Sequence, residues 1–146
     1  MGQDIPVMLT NAGLEVVGQV ERAGRLRPFD AWKRVVDGTV VPTNVIGDES
    51  DVYLQEIDDE WFEVAERCGL FGAEGTFLVS VAGQVVEEDP WFLVRISGDK
   101  ALAGELVQNP GEPDFVTAAV DGHVLVSVTT EEDGFWIVRF DVDEAS

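Results

Sequence analysis

The chain reads as an α+β domain, an antiparallel sheet of repeated β-hairpins with two or three short helices packed on it. Three observations predict this. Short segments rich in Val, Ile, Phe and Trp are bounded by Asp-Gly or Glu-Asp-Gly turns, the pattern of strands joined as hairpins. One such hairpin recurs along the chain. Between hairpins lies a segment, Asp58 to Gly69, whose apolar residues follow the helical period instead.

The recurrence is direct. Glu74-Gly75-Thr76-Phe77-Leu78-Val79-Ser80-Val81 returns as Asp121-Gly122-His123-Val124-Leu125-Val126-Ser127-Val128. After a spacer, Glu87-Glu88-Asp89-Pro90-Trp91-Phe92-Leu93-Val94-Arg95-Ile96 returns as Glu131-Glu132-Asp133-Gly134-Phe135-Trp136-Ile137-Val138-Arg139-Phe140, and ten of the eighteen paired positions are identical. A fainter copy runs from Asp37 to Ile57, where four of eighteen positions match. The hairpin units are thus expected at about 37–57, 74–96 and 121–140, and Gly13-Leu14-Glu15-Val16-Val17 opens a more degenerate one. Convergent patterning of Val-rich strands is the alternative to true repetition.

Side chains alternate across a strand, so each hairpin has two faces. Val124, Val126 and Val128 share one; Trp136, Val138 and Phe140 form a wholly apolar set on the partner strand, matched by Phe92, Val94 and Ile96. These sets are assigned to the core, with the pairs Phe92/Trp136, Val94/Val138 and Ile96/Phe140 buried. The opposite sets, Phe135/Ile137/Arg139 and Trp91/Leu93/Arg95, are expected on a partly covered face.

The helix from Asp58 to Cys68 begins with acids at the positive end of its dipole and stops at Gly69. Trp61, Val64, Ala65 and Cys68 form its apolar stripe. A weaker helix is expected from Asp99 to Val107. Residues 28–41 suit either a short helix beginning at Pro28 or a tight hairpin, and the helix is preferred. Gln108 to Asp114 is a loop by composition.

The 146 residues, 45% of them hydrophobic with four Trp and eight Phe, suit one folded domain spanning 1–146 rather than a disordered acidic tail. No signal peptide is visible, Pro6 spoils a myristoylation motif, and no apolar run approaches the roughly 20 residues that span a bilayer. A single cysteine, Cys68, cannot form an intrachain disulfide, so a reducing, cytoplasmic setting is expected.

Charge is segregated. Residues 1–36 hold five Lys/Arg (Arg22, Arg25, Arg27, Lys33, Arg34) and four Asp/Glu, whereas residues 37–146 hold four and twenty-five, for a formal net charge of −20. Such a field repels nucleic acid and anionic membranes and draws in basic partners. The basic segment is expected to neutralise acids from residues 37–146 by salt bridges; a free basic patch that binds RNA or DNA is the competing outcome.

Catalytic chemistry is not visible. A nucleophile requires a nearby base, and the one His, His123, lies about 13 Å along its strand from Ser127. It reads as a surface or interface residue whose replacement by Ala leaves function intact. Cys68 reads as a buried core thiol. One Cys and one His exclude the usual zinc patterns, and Gly47-Asp48-Glu49-Ser50-Asp51 lacks the order of a calcium loop. No catalytic, metal or cofactor site is therefore assigned.

Nine acids and no base lie between Asp48 and Glu66. They suit a solvated face, a chain adapted to high salt, or a surface for a basic protein. The functional expectation is a non-catalytic binding module of the immunity or inhibitor type that neutralises a basic, nucleic-acid-acting or toxin partner. Its contact residues are expected to be Asp48, Glu49, Asp51, Asp58, Asp59, Glu60 and Glu63, with Trp61 in the core. The alternatives are a chaperone or scaffold that uses an apolar sheet face, and a carboxylate-based enzyme.

Overall fold

The computed structural model describes residues 5–36, 41–47, 49, 51–81, 89–98, 101–109, 111–132 and 134–142. Their chain order is α1 (Ile5–Asn11), β1 (Leu14–Val20), α2 (Pro28–Val35), β2 (Asn44–Ile46), α3 (Tyr53–Arg67), β3 (Thr76–Val81), β4 (Trp91–Ile96), α4 (Leu102–Glu105), β5 (Val107–Asn109), β6 (Glu112–Pro113), β7 (Phe115–Ala118), β8 (Val124–Glu131) and β9 (Gly134–Asp141). Seven strands form one antiparallel sheet in the order β1-β4-β3-β7-β8-β9-β2, and β5 and β6 make a small separate hairpin. This is the expected α+β class, with four helices.

The sheet is covered on both faces. On one, Leu9 and Ala12 from the α1 end, Ile57, Trp61, Val64 and Ala65 of α3, and Leu102 and Ala103 of α4 pack on Phe77, Val79, Val94, Phe115, Val124, Val126 and Val128. On the other, Ala31 of α2 with Ala23 and Leu26 packs on Leu78, Trp91, Val116, Ala118 and Leu125. Two indoles fasten this second layer: Trp32 Nε1 donates to Ser80 Oγ at 2.9 Å and Trp91 Nε1 to the Leu26 carbonyl at 3.0 Å. Trp91, expected on a partly covered face, is therefore fully buried.

The two strong repeats are both hairpins, but their second strands face opposite ways. Phe77 pairs with Val94, whereas Val124, the counterpart of Phe77, pairs with Asp141 rather than with Val138. That is a register difference of three residues. An odd slip moves every side chain to the other face. It arises because Glu131 pairs directly with Gly134, closing the later hairpin over two residues. Gly134 has φ +133, and a Cβ there would lie 2.6 Å from the Ile46 carbonyl oxygen of β2. The expectation that Trp136, Val138 and Phe140 form the buried core set is corrected in part: Val138 is buried as expected, at 4% exposed, but none of the three belongs to the core beneath α3. Phe135, 5% exposed, and fully buried Ile137 take that place, while Trp136 and Phe140 are half-buried on the α2 side. On β4 the expected face holds, with Val94 buried and Phe92 and Ile96 partly so.

The faint upstream copy is not a hairpin. Its supposed second strand, Val52 to Ile57, leads into α3, which begins at Tyr53, five residues before the expected start. Ile57, Trp61, Val64, Ala65 and Cys68 are buried along one continuous stripe, so the 3.6-residue period overrides local β-propensity. Residues 37–40, 48 and 50 of that copy lie outside the described residues. The helix expected at Pro28 is present as α2; of the helix expected from Asp99 to Val107, whose residues 99 and 100 lie outside the described residues, Leu102–Glu105 form α4; and the loop expected at 108–114 holds most of the β5–β6 hairpin, which begins at Val107.

Candidate partner-binding site

Helix α3 presents its polar side along the sheet edge formed by β2. Trp61 is not part of this surface. It is fully buried, ringed by Phe62, Phe71, Phe77 and Phe115, and its Nε1 donates to Thr117 Oγ1 at 3.0 Å. With the apolar stripe turned inward, Glu56, Asp59, Glu60 and Glu63 fall on the outer and lateral faces.

Three of these acids line a cleft. Glu56, Asp59 and Glu60 of α3 and Asn44, Val45 and Ile46 of β2 enclose about 380 Å³. Asn44 Nδ2 donates to Glu60 Oε2 at 2.7 Å, which bridges helix and strand and holds Glu60 in place. Val45 is 51% exposed at the rim. The spacing i, i+3, i+4 puts the three carboxylates on adjacent turns of one helix face. Such a lining suits a cationic side chain whose aliphatic stem lies against Val45 while its charge meets the carboxylates.

The expected contact residues divide. Asp59 and Glu60 line the cleft; Glu63 lies beyond it on exposed helix surface, ion-paired to Arg67 one turn on. Glu49 and Asp51 are exposed ahead of the helix. Asp48 lies outside the described residues. Asp58 is a correction: it is 5% exposed, and its Oδ1 accepts a hydrogen bond from the Ala103 backbone N–H at 2.8 Å. Its place on the inner side of α3, facing α4, follows from the helical period once the stripe through Ile57 and Trp61 is buried. Glu56 and Asn44 were absent from the expected set. The spacing of Glu56 to Asp59 and Glu60 signals its role once the helix starts at Tyr53, but the partnership with Asn44 joins residues 16 apart in sequence.

The basic segment behaves differently from expectation. Arg67, Arg95, Arg139 and His123 form ion pairs, whereas Arg22, Arg25, Lys33 and Arg34 make none among the described residues. All four are exposed. The physical reason is the layering, because this segment covers the α2 side of the sheet and α3 covers the other. Lys33 Nζ instead sits 4.6 Å over the Phe29 ring.

Burial perturbs two groups away from this cleft. Burial, then Glu131 and Glu112, push the Asp114 carboxyl up to about 6. The Cys68 thiol is also raised by burial and lies 3.5 Å from the Ala65 carbonyl oxygen, the environment of an inert core thiol. No group of three or more His, Cys, Asp or Glu among the described residues is placed to hold a metal ion. No helix of the described residues is long and apolar enough to cross a membrane.

Comparison with protein-family models, with curated proteins and with solved structures found no match to the chain.

Proposed function

We propose that the protein is a non-catalytic binding module of the inhibitor or immunity type, whose α3–β2 side captures a basic protein. The observation that carries this reading is the cleft lined by Glu56, Asp59 and Glu60 beside the exposed Val45. It offers clustered carboxylates to a Lys or Arg of the partner, in a chain whose net charge of −20 steers such a partner toward it. The scaffold alternative has less support, because helices pack on both faces of the sheet and, among the described residues, the large exposed apolar side chains are valines.

The test is association kinetics. With a basic partner isolated by pull-down from the native host, the on-rate of the wild type should fall steeply as salt rises. The double reversal Asp59→Lys, Glu63→Lys should slow association by about 10-fold or more at low salt and flatten its salt dependence, with the fold intact by circular dichroism. An on-rate indifferent to both salt and reversal rejects the proposal.

A carboxylate-based enzyme remains the second reading, favoured by Asp114, whose pKa of about 6 beside Glu112 and Glu131 suits a general acid. Its test is loss of any detected hydrolytic activity in Asp114→Asn with binding to the basic partner unchanged.

A further inference from the structure

The turn Asp121–His123 ties three parts of the molecule together. Its backbone is pressed against the turn at Ala23–Leu26. A Cβ on Gly122 would lie 2.2 Å from the Ala23 carbonyl oxygen, and one on Gly24 would lie 2.5 Å from that of Asp121. Both positions hold glycine at positive φ, 77° and 61°. Gly122 N donates to the Ala119 carbonyl at 2.9 Å, and Val142 N to that of His123 at 2.9 Å. The turn is thus anchored to the end of β7 and to the end of β9.

From this anchored turn the His123 imidazole reaches the C-terminal end of α3. Its Nδ1 contacts Asp121 Oδ1, and its Nε2 lies 3.4 Å from the carbonyl oxygen of Cys68. Both neighbours are acceptors. A neutral imidazole has a single N–H. If that N–H sits at Nδ1 and donates to Asp121, the Nε2 lone pair is left facing the lone pairs of the Cys68 carbonyl. Only the imidazolium donates in both directions. The last carbonyls of a helix also carry partial negative charge, which favours a cation there.

The surrounding charges agree. Asp121 belongs to the same turn; Asp141, from β9, adds a weaker favourable charge and is itself ion-paired with Arg139; the Cys68 thiol, its pKa raised by burial, is neutral. The hydrogen bond to Asp121 raises the His123 pKa above 6.5, and the same contact lowers that of Asp121 below 3.8. The cationic form is therefore retained toward neutral pH.

We propose that His123 is a proton-operated latch on the C-terminal end of α3, closed as the imidazolium between Asp121 and the Cys68 carbonyl and released on deprotonation, which lets the end of α3 that carries Cys68 open more often. Because the folded pKa is raised, the latch is fully closed below pH 6.5 and is lost as pH rises through the folded value. At the acid end it fails as Asp121 protonates, below its own lowered pKa.

The chain has one His and one Cys, so each group is its own probe. Nuclear magnetic resonance titration of the imidazole should place its pKa above 6.5 in the wild type and closer to 6.5 in Asp121→Asn. Labelling of Cys68 by a thiol reagent, divided by the rate for the same protein in denaturant at each pH, cancels the intrinsic ionisation of the thiol. This ratio should rise several-fold across the imidazole titration. It should be flat with pH in His123→Gln, and the rise should move down in pH with Asp121→Asn. An imidazole that titrates at or below 6.5, or a ratio in the wild type that does not change with pH, overturns the latch. Should His123→Gln fail to fold, the wild-type and Asp121→Asn titrations decide alone.

Discussion

The Asp58 carboxylate accepts a hydrogen bond from the backbone N–H of Ala103 at 2.8 Å, inside the layer where α3 meets α4. Helix α4 has four residues and no side-chain cap of its own at Ala101, so a carboxylate from another helix meets one of its unpaired N–H groups. An acid of the most acidic stretch of the chain thus serves the fold and is withheld from the surface.

Asp58→Ala should destabilise the protein by about 1–3 kcal/mol, because it leaves a buried N–H without an acceptor. Asp58→Asn keeps an acceptor oxygen and should cost less. Urea denaturation checks both. Neither variant should alter the salt dependence of partner association, in contrast to Asp59→Lys, Glu63→Lys. If Asp58→Asn slows association as that pair does, Asp58 is reached by the partner after all.

The two tryptophans Trp61 and Trp136 should differ in cost. Trp61 is fully buried among four phenylalanines and hydrogen-bonded to Thr117, which in turn donates to the Val126 carbonyl at 2.8 Å. Its replacement by Ala should cost about 3–5 kcal/mol. Trp136 is half-buried and its Nε1 has no hydrogen-bond partner, so truncation removes less contact and relieves an unpaired donor. Trp136→Ala should therefore cost less than Trp61→Ala. The opposite order in equilibrium unfolding would place Trp136, not Phe135, on the α3 side of the sheet.

Asp114 should make stability fall with pH in the acid range. Its folded pKa, about 6, lies above the ordinary 3.8. Between those values the folded state holds the proton that the unfolded state has released, so stability decreases as pH rises through the window. Above it the ionised carboxylate is a standing cost. Asp114→Asn should raise stability at pH 7 by about 1–2 kcal/mol, less than the full shift implies because the group is partly solvated. At pH 3 the gain should vanish. Urea midpoints at the two pH values measure the difference, and an equal effect at both would show that Asp114 is not the titrating group.

Much of the architecture could be read from the chain because it rests on local repetition. The strands of the 74–96 and 121–140 hairpins, the helix through Trp61 and the burial of Cys68 all follow from periods of 2 and 3.6 residues. The acid surface was legible for the same reason, since Asp59, Glu60 and Glu63 fall opposite the Trp61 stripe. Asp58 was misassigned because composition cannot distinguish an acid facing solvent from one facing the N-terminus of a neighbouring helix. The helix α1 was not foreseen, nor was Asn44 as the partner of Glu60.

The sequence by itself determined the α+β class, the antiparallel hairpins, the apolar stripe of α3 and the separation of acid from base. These depend on side-chain period and on where charge lies along the chain. Only the tertiary structure decided which face of β9 meets α3. With layers on both sides of the sheet, Phe135/Ile137 and Trp136/Val138 are both apolar enough to be buried, and the turn closing at Glu131 and Gly134 selects between them. It also decided that Arg22, Arg25, Lys33 and Arg34 stay away from the α3 acids, and that His123 meets the end of α3 across 55 residues of chain. Such contacts join positions whose spacing carries no periodic signal, so they exist only once the sheet has brought them together.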